Sequence, residues 1–203
     1  MIPMTVEQLY EKLCSKQFQD TENGDLFYNF FVYLYDAEKE YEMRKQIKSI
    51  KENIKRPVNN VDVLTLDIFE EFCHFMDGKT FGKHPSYLKY ILEKDTTKPD
   101  EVTRALLLQA NSDEFMRYIH ERIMQHVSKV DEYIRPYVFV YGIGNIYPYL
   151  RTSTFLNKYE QYNNSGRYKI ILFYPGEKDG ASYRLFSELE DNHTYRAIVL
   201  MNE

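Results

Sequence analysis

Residues 138–154 read VFVYGIGNIYPYLRTST. The β-branched and aromatic run from Val138 to Tyr141 reads as a buried strand that stops at Gly142-Ile143-Gly144. A helix is expected to follow, with Pro148 in its first turn and Arg151 beyond it, since proline suits the start of a helix. Strand, glycine turn and helix start together are how α/β proteins set backbone N–H groups beside a ligand or a partner. The chain then repeats the idea. Lys169 to Phe173 (KIILF) reads as a second buried strand, closed by the turn Tyr174-Pro175-Gly176-Glu177. Two strands with special turns at their carboxyl ends mark one edge of a sheet as the working edge.

Upstream, Thr5 and Gln8 have capping-box spacing, and Val6, Leu9, Tyr10 and Leu13 share one face of the helix they open. Gln17 to Asp25 is polar and ends in the turn signal Asn23-Gly24. Leu26 to Tyr35 (LFYNFFVYLY) is too uniformly apolar for a half-exposed strand, and predicts a central strand buried on both faces, as in parallel sheets. Asp36 is the expected cap of a helix with the stripe Met43, Ile47, Ile50 and Ile54, which Pro57 closes. The basic residues of that helix alternate with Glu38, Glu40, Glu42 and Glu52, the pattern of a solvated face.

Val61 to Leu66 predicts a further strand, and Asp67 with Glu70 caps the next helix, which Gly78 ends. Helices are expected over 86–94, 99–109 and 113–130, the last with the stripe Met116, Ile119, Ile123, Val127 and Val130. With Tyr137–Tyr141, Lys169–Phe173 and Tyr195–Leu200 as the remaining strands, the order alternates β and α, and the connections are long enough for right-handed parallel crossovers. The expected fold is α/β, a three-layer sandwich with a mostly parallel sheet of about five strands. One domain spans 1–203, and 67–130 form a helical insertion or cap between the second and third strands.

The chain has 203 residues, enough for one sizeable core, with 43% hydrophobic and 28% charged residues. A net charge of −5 and a pI near 5.6 argue against unaided, sequence-independent DNA binding, which needs a basic footprint. Cys14 and Cys73 form no CxxC pair, so neither a disulfide framework nor a zinc site is expected, and a reducing cytoplasm fits. The amino terminus lacks a basic region followed by an apolar core, and no apolar run nears 18 residues, so neither a signal peptide nor a membrane span is expected.

Complete catalytic motifs are missing. A phosphate loop would need GxxxxGK[ST] after a strand, but the first strand leads into Tyr35-Asp36-Ala37-Glu38, which has no glycine and is acidic. Gly142-Ile143-Gly144-Asn145-Ile146-Tyr147 is half of a GxGxxG, with Tyr147 in place of the last glycine. Glu160 is the one acid spaced to meet a ribose, so a degenerate nucleotide-binding or nucleotide-sensing domain is the alternative reading. Arg151, Glu177, Arg184 and Arg196 lie near strand ends, where they form either an ion-pair network or an anion site; pairing is the default. The histidines have no ligand spacing, and neither a GxSxG elbow nor a cysteine nucleophile context occurs, so no metal, cofactor or catalytic residue is expected.

The carboxyl-terminal 70 or so residues carry a resemblance. Gly142, Gly144, Tyr147, Pro148 and Arg151 are followed by Asn157, then Phe173-Tyr174-Pro175-Gly176-Glu177 and Gly180. Arg184-Leu185-Phe186 and Tyr195-Arg196-Ala197 complete the series. In this signature the chain resembles the BrxB-type family of bacterial BREX (bacteriophage exclusion) systems; the first half agrees more loosely. One departure is Thr152-Ser153-Thr154, where such proteins often carry Ser-His; chemistry resting on that histidine would be lacking here.

The resemblance implies a cytoplasmic anti-phage component without established catalytic activity. It would work beside an alkaline-phosphatase-like protein of the PglZ type, a DNA adenine methyltransferase and a large ATPase. The expectation is therefore a non-catalytic assembly subunit or adaptor. It would bind a partner through Gly142, Gly144, Tyr147, Arg151, Tyr174, Glu177, Arg184 and Arg196, with no cofactor, no direct nucleic-acid contact and no membrane.

Overall fold

The computed structural model describes residues 4–19, 30–162, 166–179, 182–191 and 197–201. Asn23-Gly24, residues 26–29, Gly180, His193, Tyr195 and Arg196 lie outside the described residues. Five parallel strands form the sheet: β1 (Phe30–Tyr35), β2 (Val61–Asp67), β3 (Arg135–Tyr141), β4 (Lys169–Asp179) and β7 (Ile198–Val199), in the order β2-β3-β4-β1-β7. Val138 stands level with Leu64 on one side and Ile170 on the other, and Val32 with Leu172. The chain thus leaves β1, crosses to the far edge and returns strand by strand.

Alternate side chains of each strand enter two separate cores, as a period of two dictates. Phe31, Tyr33, Tyr137, Phe139, Ile171 and Phe173 face α1 (Val6–Cys14), α2 (Lys16–Gln19) and α3 (Glu40–Ile54). Val32, Val138, Val140, Ile170 and Leu172 face the other helices: α4 (Ile68–Asp77), α5 (Tyr87–Asp95), α6 (Pro99–Ala110), α7 (Asp113–Val127), α8 (Ile143–Ile146) and α9 (Thr152–Tyr159). Helices on both faces give the three-layer α/β sandwich. They also explain the unbroken apolar runs, because neither side of a central strand meets water.

The local signals act as their chemistry requires. Thr5 and Gln8 cap α1 reciprocally, Thr5 N donating to Gln8 Oε1 (2.8 Å) and Gln8 N to Thr5 Oγ1 (3.3 Å). Asp36 caps a short 3-10 turn, Ala37–Lys39, which runs into α3. Met43, Ile47, Ile50 and Ile54 are buried under the sheet, and so are Met116, Ile119, Ile123 and Val127 of α7. Between β2 and β3, α4 and α7 share one core with the sheet, and the buried Glu71 accepts from Tyr118 Oη (2.9 Å) and pairs with Arg122 (3.3 Å).

Two expectations are corrected. The strand beginning at Lys169 does not end at Tyr174–Glu177. Pro175 still stands level with Tyr35, and Gly176–Asp179 continue antiparallel to β5 (Ser182–Leu185), which pairs with β6 (Leu189–Asp191). The last pair with β3 is Val140–Leu172, so the missing N–H of Pro175 interrupts no bond on that side. Nor does Pro148 lie inside a helix. Tyr147 is pushed to an extended ψ of 140°, as residues before proline are, so α8 stops at Ile146 and a new helix starts at Thr152. The Tyr147–Pro148 peptide bond is cis.

Candidate functional site

The carboxyl ends of β1, β2, β3 and β4 meet at one edge, where both glycines are fixed by what lies against them. Gly142 adopts φ +74°, the left-handed region that glycine enters at least cost. A Cβ there would lie 2.3 Å from Asp67 Oδ1. Asp67 is 5% exposed and has three tasks at once. Its Oδ1 accepts from the amides of Phe69 (3.0 Å) and Glu70 (3.3 Å) at the start of α4, and its Oδ2 accepts from Arg44 Nη1 (2.7 Å).

Arg44 reaches this point from α3. Its Nε donates to Glu40 Oε1 (2.8 Å), Glu40 Oε2 accepts from the Tyr35 hydroxyl, and the guanidinium lies 5.3 Å from the Tyr141 ring centre. Burial works against the charge on Arg44, but Glu40 and Asp67 outweigh it and hold its pKa above the usual value. Burial, reinforced by the bond to Glu40, raises the Tyr35 pKa; burial and the charge of Asp67 raise that of Tyr141. A Tyr35–Glu40–Arg44–Asp67 chain thus ties α3 to the carboxyl ends of β1 and β2, where α/β sheets commonly admit a ligand.

At Gly144, a Cβ would come within 2.6 Å of the Phe186 ring. Phe186 is at the tip of the β5–β6 hairpin with φ +57°, and its N–H donates to Pro175 O (2.8 Å). The hairpin is thereby folded down over the glycine turn. Tyr174 is buried beneath it, 5.8 Å from Tyr183 in an edge-on contact. Burial pushes the Tyr183 hydroxyl up to about 12.

The structure thus brings Gly142, Gly144, Tyr174 and the hairpin together. Glu177 and Arg184 are directly opposite across the β4–β5 pair, Glu177 exposed and Arg184 half-buried. Tyr147 is half-buried, and Arg151 is exposed at the N-cap of α9. Arg196 lies outside the described residues. Sequence reasoning missed Arg44 and Glu40, which read as part of a solvated helix face, and saw Asp67 only as a cap. Phe186 was within reach, since it belongs to the Arg184-Leu185-Phe186 signature.

The space beside each glycine of this turn is filled from within the chain. The room beside Gly142 holds a carboxylate that would repel phosphate, the room beside Gly144 holds an aromatic ring, and α8 has only four residues. Glu160 stands just past the carboxyl end of α9. Among the described residues, no group of three His, Cys, Asp or Glu side chains could hold a metal ion, and no helix is long and apolar enough to cross a membrane.

The fold and site define a class: a three-layer α/β domain whose carboxyl edge is packed with its own side chains and roofed by a β-hairpin. The family model described as "BREX protein BrxB" matches residues 64–200. A protein named BREX protein BrxB from Bacillus cereus (strain H3081.97) is 23% identical over 203 residues, covering 98% of this chain and 96% of its own. No solved structure matches. The chain belongs to the BrxB family of BREX proteins.

Proposed function

We propose that this protein is a non-catalytic assembly subunit of a BREX anti-phage complex. Its carboxyl sheet edge docks an alkaline-phosphatase-like partner of the PglZ type, and in that way supports host DNA methylation and phage exclusion. One observation carries the reading: the glycine turn is occupied from within, by Asp67 and Phe186, while Arg151 and Glu177 stand exposed beside it. A packed edge bearing exposed charge suits a macromolecular surface better than a small ligand. Tyrosines at this edge, Tyr147 among them, are residues favoured at interfaces. Membership of the BrxB family supports the BREX setting, and the name of the Bacillus cereus relative agrees with it.

Co-purification with the PglZ-like partner tests the proposal. The wild-type chain is expected to retain the partner and the Arg151→Ala/Glu177→Ala variant to lose it. An unchanged complex in the double variant would rule out this edge.

A further inference from the structure

The helical segment between β2 and β3 carries a second surface, remote in sequence from the glycine turn and unlike it in charge. From Lys79 to Lys98 there are five lysines against two acids, Glu93 and Asp95, and with Glu114 and Glu101 paired to Lys79 and Lys98 the excess is +1 in a chain whose total is −5. Lys79 is engaged by Glu114 and Gln109, and Lys98 by Glu101. Lys83, Lys89 and Lys94 have no ion-pair partner among the described residues.

Within this segment four rings cluster, with Phe81–Tyr87 and Tyr87–Tyr90 stacked and His84 tilted 55° to Tyr90. Phe81 lies on Tyr87, with centroids 4.7 Å apart and planes 12° from parallel, and 4.6 Å from Tyr90. His84 is 4.9 Å from Tyr90, and the Lys94 ammonium lies 5.8 Å from the centre of the same ring. Phe81 remains 43% exposed.

The array is held in place by backbone. Phe81 and His84 exchange N–H···O bonds of 2.9 Å, Tyr87 N donates to Lys79 O (2.7 Å), and Ser86 caps α5 while donating to Asp77 (2.6 Å). An exposed phenyl ring fixed on two tyrosines costs little further entropy when a flat partner covers it. The lysines around it match a partner that is flat and anionic in alternation.

We infer that Phe81, resting on the buried Tyr87 and flanked by Tyr90 and His84, forms with Lys83, Lys89 and Lys94 a stacking platform for single-stranded nucleic acid. Unpaired bases offer the π-faces and phosphates the charge, and such recognition tolerates any sequence. The negative total of the chain weighs against duplex binding over its whole surface; here Lys83, Lys89 and Lys94, outside any ion pair among the described residues, stand near an exposed ring. The inference is independent of the partner-docking edge.

The test is fluorescence anisotropy of a labelled oligothymidylate of about 12 nucleotides at low salt, with the full chain. The wild type is expected to bind. Phe81→Ala weakens binding about tenfold, in line with the loss of one stacked base, while Phe81→Tyr retains it. Lys83→Ala/Lys89→Ala lowers the slope of log affinity against log salt by about 1.4, from roughly 0.7 per phosphate contact. The inference is overturned if the wild type does not bind, or if Phe81→Ala binds as well as wild type. Equal binding of a duplex, or equal competition by polyglutamate, overturns it too, because either would mean charge alone.

Discussion

Replacing Gly142 by alanine puts a single methyl group where two structural demands meet. At φ +74° an L-residue costs about 1–2 kcal/mol. The new Cβ would lie 2.3 Å from Asp67 Oδ1 and 2.9 Å from its Cγ, so the carboxylate must move. Moving it releases the cap on α4, worth about 1 kcal/mol. The bond to Arg44 goes with it. Losing a partner from a buried ion pair costs roughly 3–5 kcal/mol, but Arg44 is 30% exposed and keeps Glu40, so about 1 kcal/mol is the fitting share.

Gly142→Ala is therefore expected to destabilise by about 3–4 kcal/mol, a large part of the roughly 5–15 kcal/mol that holds a domain folded. In an Asp67→Ala background the obstructing oxygens are absent, and the same change should cost only the backbone share of about 1–2 kcal/mol. Urea unfolding of the four members of this cycle, followed by circular dichroism, measures the coupling, expected near 2 kcal/mol. Equal costs in the two backgrounds would refute the account of Gly142 as the seat of the Asp67 carboxylate.

Gly144→Ala meets a ring at an exposed hairpin tip, which can swing aside, so about 1 kcal/mol is expected; Phe186→Ala should absorb most of that loss when the two are combined. Phe139, fully buried between α3 and the sheet, should cost about 3–5 kcal/mol when cut to alanine, read from the same urea titration. Burial lowers the pKa of His120 and His126, the latter despite Asp62 at 3.2 Å. A histidine whose folded pKa is depressed contributes stability above its unfolded pKa, near 6.5, and that stability is lost as pH falls below it. Melting temperature should drop on acidification through pH 6, and His120→Gln/His126→Gln should flatten that drop.

The legible parts were those whose signal is local. FFVYLY (30–35) and KIILF read as strands buried on two faces, and the capping residues Thr5, Asp36 and Asp67 act within three residues of themselves. Pro175 misled because a proline normally ends a ladder; its neighbour on the β3 side had already stopped pairing, which no local pattern records. Gly142 and Gly144 were readable as special positions, but not what fills the space beside them. The fillers come from 75 residues before, at Asp67, and from the hairpin at Phe186.

By itself, then, the order of residues determined the alternation of strand and helix, the two-faced burial of the sheet and the glycine turn, since each rests on spacing over a few neighbours. Only the tertiary structure decided that β2 would lie at the far edge, bringing the end of β2 beside the end of β3, so that Asp67 meets both Arg44 and the space beside Gly142. It also decided that the β5–β6 hairpin folds over Gly144. Those outcomes depend on contacts between segments far apart in the chain, whose geometry is set by strand order and packing and leaves no periodic trace in the sequence.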